Sequence, residues 1–385
     1  MPNSMPPHKQ IEEILIPAAS IGNDRKLTVI RYGKQGTGKK AYIQAGLHAD
    51  EPPGFVAMHY LQKLLDEADK ANKIKHEIVL VPVANPIGIS QWQDNRIQGR
   101  FEFYNGINFN RNYPDQTDTI ASRIKTRLSK DSEENVRLIR KTYLESLQKI
   151  KTVDEGEFLK KTLLSLAIDA DVVLDLHCDF EAALHIYLGT PLWPDASDLS
   201  AQLGSRVTLL AKKSGGDPFD EACSKVWWEL AERFPDYPIP PSCLSATVEL
   251  RGNRDVHHET GKQDAKNIFQ FLLRRGYIAG RAGKLPKLLR DATPLAGVEH
   301  VKTPGNGVII FRREIGEVVK KGDVIADVIN PLGKTATERL SKVKCKAEGV
   351  LFTKIVDRYA KPGRIIAKIA TKTALKNKGD QLLTL

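Results

Sequence analysis

The chain has 385 residues, 41% of them hydrophobic and 27% charged, with a formal net charge of +11. Such a length predicts one large domain and one smaller one, of ordinary globular composition. There is no run of eighteen apolar residues, and the Lys and Arg residues are dispersed rather than interleaved with aromatics, so neither a membrane span nor a nucleic-acid partner is expected.

The start, Met1 to Gln10, is polar and proline-rich and lacks the apolar core of a signal peptide. Cys178, Cys223, Cys243 and Cys345 lie far apart and form no disulfide framework. Both features point to the cytoplasm. Ile14 to Ile16 and Lys26 to Tyr32 read as strands. The connection from Gly33 to Lys40 imitates a phosphate-binding loop, but Lys40 stands where Ser or Thr would hold magnesium, and a strand follows instead of a helix. It reads as a glycine-rich hairpin turn, and ATP binding is rejected.

Ala41 to Ala45 is an apolar strand, and Phe55, Met58, Leu61, Leu64 and Leu65 follow with helical spacing. Between them lies Gly46-Leu47-His48-Ala49-Asp50-Glu51-Pro52-Pro53-Gly54, which puts His48 and Glu51 where a strand hands over to a helix. In open α/β sheets ligands bind at the carboxyl ends of strands. An imidazole and a carboxylate three residues apart can converge there on a cation. The competing reading is an acidic residue favoured by the helix dipole.

Glu77 to Val83 is a strand apolar on both sides, as in a sheet covered on both faces, although Pro82 argues against a central place. Arg96 and Arg100 follow in a loop, and then Asn108-Phe109-Asn110-Arg111. That segment is either a surface loop of Asx turns or a clamp in which Arg111 grips a substrate carboxylate. From Asp118 to Lys161 the chain turns charged and helix-forming, predicting two or three amphipathic helices inserted in the core fold, able to cover the site or support a homo-oligomer.

Asp171 to Asp179 is a buried strand that brings His177 to a carboxyl end, with Asp175 on the same face, either orienting a ligand or capping a turn. Leu184 to Leu188 reads as a strand, Leu199 to Lys212 and Val226 to Arg233 as helices, and Leu244 to Gly252 as a strand containing Glu249. A carboxylate inside a strand is either paired, with Arg251 or Arg254, or catalytic. His257-His258-Glu259 reads as an exposed helix start, Asp264 to Tyr277 as a closing helix and Arg281 to Leu289 as a basic linker. From about Val298 short strands alternate with glycine turns, predicting a small all-β barrel.

Taken together, Gly46-x-His48-Ala49-x-Glu51-x-x-Gly54, Asn108-Phe109-Asn110-Arg111, Asp175-Leu176-His177 and Glu249 resemble the succinylglutamate desuccinylase/aspartoacylase branch of the zinc carboxypeptidase-like superfamily, over roughly residues 25 to 280. The resemblance implies an α/β fold with a mixed, mostly parallel sheet and helices on both faces. That catalytic domain would span 1–290, with a helical insertion at about 116–162. The segment 291–385 resembles a biotinyl/lipoyl-like β domain, through Gly316-Glu317-Val318-Val319-Lys320-Lys321-Gly322-Asp323, but lacks the Met-Lys-Met turn that carries biotin, so no carried prosthetic group is expected. In the resembling deacylases such a domain sits by the mouth of the site.

The resemblance further implies that His48, Glu51 and His177 bind one Zn2+ per chain, that Glu249 is the general acid/base, and that Asn110 and Arg111 hold a substrate carboxylate. It also places an arginine that polarises the scissile carbonyl, matched best by Arg100, with Arg96 competing. Two histidines and a carboxylate also suit iron, cobalt or manganese, but zinc is favoured. The expected activity is hydrolysis of the amide of a small N-acyl amino acid or related acylated amine. The alternatives are a zinc carboxypeptidase acting on peptides and a non-catalytic binding protein on the same scaffold.

Overall fold

The computed structural model describes residues 9–383 except 18, 19, 37, 377, 378 and 380. The polar start at residues 1–8 and Thr37 of the glycine-rich connection lie outside the described residues.

A nine-stranded mixed sheet organises the chain. Its strands are β1 (Gln10–Ile16), β2 (Arg25–Tyr32), β3 (Lys40–Ala45), β4 (Glu77–Val81), β5 (Val172–Asp179), β6 (His185–Gly189), β7 (Val207–Ala211), β8 (Leu244–Gly252) and β9 (Thr293–Pro294). They are ordered β1-β2-β4-β3-β5-β8-β6-β7-β9. The run β4-β3-β5-β8 is parallel, as is β6-β7-β9, while β1, β2 and the β8–β6 pair are antiparallel. The parallel interior strands β3, β4 and β5 are buried nearly throughout, which their two-sided apolar sequences require.

Helices cover both faces. On one side α1 (Pro53–Lys70), α5 (Ser197–Leu203) and α7 (His258–Arg274) supply Met58, Leu61, Leu199, Ile268 and Phe271 to one core. On the other, α2 (Thr117–Ile124), α3 (Ser132–Gln148), α4 (Glu155–Ala167) and α6 (Phe219–Arg233) supply Ile120, Ile139, Leu163 and Trp227 to a second. Among the described residues no helix is long and apolar enough to cross a membrane. All four cysteines are buried free thiols.

Three sequence expectations change. The Gly33 to Lys40 connection is not a hairpin, because β4 lies between β2 and β3 and pairs with both. The connection must therefore cross an intervening strand, and Gly33 does so with φ +78 beside the His76 carbonyl, where a Cβ would come within 2.7 Å. Nor does Pro82 displace β4 to an edge, since the strand ends one residue earlier, at Val81. Finally, Leu199 to Lys212 is not one helix. Gly204 adopts the left-handed conformation (φ 72) and closes α5, and the β-branched and leucine run Val207–Ala211 becomes β7.

From Val298 to Ala370 the chain forms short antiparallel strands in two further sheets, one of which pairs Gly349–Lys354 with the short strand Glu181–Ala182 that follows β5. Phe352, Val350 and Val298 share a buried cluster with Val207 and Leu209 of β7. This β-rich segment is thereby packed against the carboxyl-terminal side of the central sheet.

Candidate functional site

The β3–α1 turn sets the first part of the site. Gly46 has φ +73, and a Cβ there would fall 2.3 Å from the Phe55 ring, so only glycine allows the strand to turn under the helix. The turn closes through the Glu51 N–H to the His48 carbonyl at 3.2 Å. His177 arrives at the end of the neighbouring β5. His48, Glu51 and His177 are buried, and one ligand-type atom from each lies within 4.8 Å of the others. This cluster can hold a metal ion.

The polar contacts around the two imidazoles show why. His177 Nε2 lies 2.9 Å from Asp175 Oδ2, and Asp175 Oδ1 accepts from Gln44 Nε2 at 2.9 Å. Gln44 Oε1 in turn accepts from the Tyr42 hydroxyl at 2.7 Å. His48 Nε2 lies 2.8 Å from Asn108 Oδ1, an atom that also accepts the Asn110 N–H at 2.8 Å. Both partners are acceptors, so both Nε2 atoms donate. This leaves both Nδ1 atoms facing the carboxylate oxygens of Glu51, at 2.9 Å from His48 and 2.8 Å from His177. Lone pairs that face one another at such distances require a cation or protons between them. A divalent ion fits this donor set, and the Asp175 contact is the usual outer support of a metal-bound histidine.

Charge follows the same logic. Burial, helped by the Arg100 guanidinium, holds His48 down to about 4, a neutral imidazole. Burial also acts to lower His177, but the Asp175 and Glu51 carboxylates outweigh it and hold it well above its ordinary value. Burial opposes ionisation of Glu51, yet the two histidines hold it well below the usual carboxylate range. A metal would displace the proton that His177 otherwise keeps.

Arg100 reaches this cluster, with Nη1 3.2 Å from His48 Nδ1 and 3.1 Å from Glu51 Oε1. Its loop is pinned by the Ala49 N–H to the Gly99 carbonyl at 3.1 Å. Arg96 instead lies exposed on the hairpin Trp92–Gln93/Arg96–Ile97. Asn110 approaches His177 Nε2 at 3.4 Å and accepts the Phe219 N–H at 2.8 Å. Arg111 is buried and donates to the Asn110 carbonyl at 2.7 Å.

Glu249 on β8 stands in register with His177 on β5 and His185 on β6. The strand is bulged just beyond it, with Arg251 at φ 66, which re-aims the side chains at the strand end. Of the two alternatives, pairing with Arg251 or Arg254 is not seen among the described residues: Arg251 binds Asp264 instead, with one contact at 3.1 Å. Glu249 Oε2 is buried without a hydrogen-bond partner among the described residues. Burial and the nearby Glu51 charge push its carboxyl up to about 8.

All seven residues singled out in the sequence, His48, Glu51, Arg100, Asn110, Arg111, His177 and Glu249, border one cavity of about 430 Å³. The β-rich segment forms part of its wall through Thr353, Ile355, Arg364 and Lys368. Lys368 Nζ donates to Asp179 at 2.8 Å, two residues beyond His177, and clamps the two parts of the chain together. Sequence reasoning missed Lys368, Asp220 and Glu221, which reach the cavity only through tertiary packing, and gave no role to Asp179, which ends the same strand as His177. It quoted Asn108 without a role, although its place in the Asn-x-Asn-Arg run was a usable signal.

The sequence matches the family model of the succinylglutamate desuccinylase/aspartoacylase catalytic domain over residues 37–274, more than half of the chain. Among solved structures, a family protein of the same description from Shewanella amazonensis is 26% identical, with a TM-score of 0.83 over 94% of this chain and 99% of that one. A second, from Shewanella frigidimarina, is 23% identical, with a TM-score of 0.82 over 94% of this chain and 97% of the other. The product-bound ectoine utilization protein EutE (DoeB) from Ruegeria pomeroyi shares the fold at 16% identity and a TM-score of 0.65, over 95% and 96% of the two chains. No curated protein gives a significant match.

Proposed function

Because the chain belongs to the succinylglutamate desuccinylase/aspartoacylase family, we propose that it is a zinc-dependent deacylase. It would hydrolyse the amide of a small N-acyl amino acid or related acylated amine, with His48, Glu51 and His177 holding one zinc ion per chain. The observation that carries this reading is the pair of Nδ1 atoms turned onto the Glu51 carboxylate. When bound there, zinc supplies a Lewis acid and makes water acidic enough to attack near neutral pH.

The chain's own residues supply the rest. Glu249 takes the proton of the attacking water and delivers it to the leaving nitrogen, so that a C–O bond forms as the C–N bond breaks, yielding an acid and an amine. Its burial without a hydrogen-bond partner among the described residues leaves the carboxylate free to accept and return a proton. Arg100, half-exposed to the cavity, donates to the carbonyl oxygen as negative charge develops on it. Asn110 and Arg111 bind the substrate carboxylate through charge-assisted hydrogen bonds and set the scissile bond in place.

Residues 1–290 are read as the catalytic domain, with an insertion at about 116–162, and 291–385 as a biotinyl/lipoyl-like β domain that restricts the mouth. Lys368, Arg364 and Thr353 of that segment line the cavity, and a mouth restricted by it would favour small substrates over peptides. The test is a panel of N-acyl amino acids and dipeptides assayed for release of free amine. Release from N-acyl amino acids, abolished by chelation and restored by zinc, supports the reading. Cleavage of dipeptides alone would replace it with a carboxypeptidase.

A further inference from the structure

The β-rich segment has a sheet that takes no part in the cavity. Its strands Leu340–Lys344, Val324–Ile329, Gly307–Phe311 and Tyr359–Ala360 lie side by side in that order. Inward they place Val343, Val328, Ile309 and Ala360 in one buried cluster. An antiparallel sheet packed on one face ordinarily turns polar residues outward from the other. This sheet instead turns an apolar row outward. Leu340 stands opposite Ile329, Ile329 opposite Val308, and Val308 opposite Tyr359, so the row crosses all four strands. Along it the exposures are 45% for Leu340, 38% for Ile329, 42% for Val308 and 72% for Tyr359. Ile310, two residues beyond Val308 and so on the same face, and Leu332, in the connection after Ile329, are exposed as well. Single exposed apolar residues need no explanation, but a contiguous group of this kind marks an interaction surface.

The free charge around this row is positive. Lys342 and Lys344 follow Leu340 on the same face of the edge strand. Lys334 and Arg339 lie in the connection that joins Ile329 to Leu340, and Lys361 lies two residues past Tyr359. All five are exposed, and none is ion-paired among the described residues. The acids beside the row are already engaged. Asp327, which stands between Ile310 and Lys342, is buried and accepts from Arg312 Nε at 2.7 Å. Asp357 pairs with Arg364 at 2.7 Å, and Glu338 closes the capping box of the short helix Ala336–Arg339. What covers the row must therefore be apolar where it meets Val308 and Ile329 and anionic at the margin.

We propose that this face seats the protein on the surface of a phospholipid bilayer with anionic headgroups. The apolar row enters the boundary between headgroups and acyl chains, while the lysine stems lie along it and carry their ammonium groups to the phosphates. Each free cation held at such a surface adds to the binding. The four strands present the row from one sheet face, as a flat partner requires. A second copy of the chain would bring the same free cations against themselves, which costs rather than gains affinity. A nucleic acid would engage the cations and leave the aliphatic row unmet. The inference stands apart from the deacylase reading, because none of these residues borders the cavity.

The test is co-sedimentation of the full chain with vesicles of phosphatidylcholine alone and of phosphatidylcholine mixed with phosphatidylglycerol, at low and at high salt. Partition onto the mixed vesicles at low salt should exceed that onto phosphatidylcholine by at least about 25-fold, roughly fivefold for each of the two lysines on the edge strand. High salt should remove most of that preference. Lys342→Glu combined with Lys344→Glu should abolish it. Tyr359→Ser combined with Leu340→Ser should weaken partition onto the mixed vesicles by about tenfold or more. The two pairs alter charge and apolar area separately, and a melting temperature for each shows that the variant is folded. No sedimentation with the mixed vesicles, equal sedimentation with both kinds, or binding that survives both pairs of substitutions overturns the inference. Retention of the parent on immobilised polyglutamate without binding to vesicles also overturns it, and assigns the face to an acidic protein partner.

Discussion

Asp220→Asn should make the protein more stable at pH 8 and leave it nearly unchanged at pH 4. In the folded chain burial, and then the Glu221 charge, raise the Asp220 carboxyl from 3.8 to about 7. Between those values the folded state holds a proton that the unfolded chain has released. Stability attributable to this group therefore falls as pH rises from about 4 to about 7, and the cost is complete above that. A difference of about three units corresponds to roughly 4 kcal/mol, an upper bound because solvent and neighbours relax around the charge. Asparagine keeps the shape and the polar contact with Thr247, so about 1–3 kcal/mol should be recovered at pH 8. Urea denaturation of both proteins at the two pH values measures this directly. A variant no more stable than the parent at pH 8, or a gain of equal size at both pH values, would refute the argument that Asp220 is held in place at a cost to folding.

Other consequences follow from the same geometry. Glu249→Gln should lower kcat by about 10²- to 10⁴-fold while metal content stays at the parental level; loss of metal would show that Glu249 belongs to the ligand set. Asp175→Asn should weaken zinc affinity by about 10- to 100-fold, measured by competition with a chromophoric chelator, because Asp175 holds the His177 tautomer and is itself held by Gln44. Lys368→Met removes one side of a half-buried ion pair and leaves Asp179 uncompensated beside the site. It should destabilise the protein by about 3 kcal/mol and increase proteolytic nicking of the β-rich segment, whereas an unchanged melting temperature would deny the clamp.

Much of the site could be read in the sequence because its parts are local. His48 and Glu51 lie on one strand-to-helix turn, and His177 with Asp175 ends one apolar strand, so each carries its own context. Glu249 stood out because a carboxylate is disfavoured within a strand. The same local rules failed where the decisive contact was distant. A connection rich in glycine looks the same whether it joins neighbouring strands or crosses β4, and Pro82 is harmless once the strand stops at Val81. The apolar stretch from Leu199 onward has a helical period until Gly204 breaks it and β7 finds β6 and β9 as partners. Nothing in the local sequence around Lys368 or Asp220 indicates that the two approach one cavity from distant parts of the chain. Arg96 and Arg100 look alike in the sequence, but the first lies exposed on a hairpin while the Gly99 carbonyl pins the second beside His48.

The central claim is that His48, Glu51 and His177 bind the catalytic metal, and the most direct test is metal analysis of the purified chain beside His48→Ala and His177→Ala. The account predicts about one zinc per chain in the parent, far less in either variant, and removal by chelation that abolishes amine release. Zinc retained at parental stoichiometry in both variants, or none taken up by the parent in zinc-replete buffer, would contradict it.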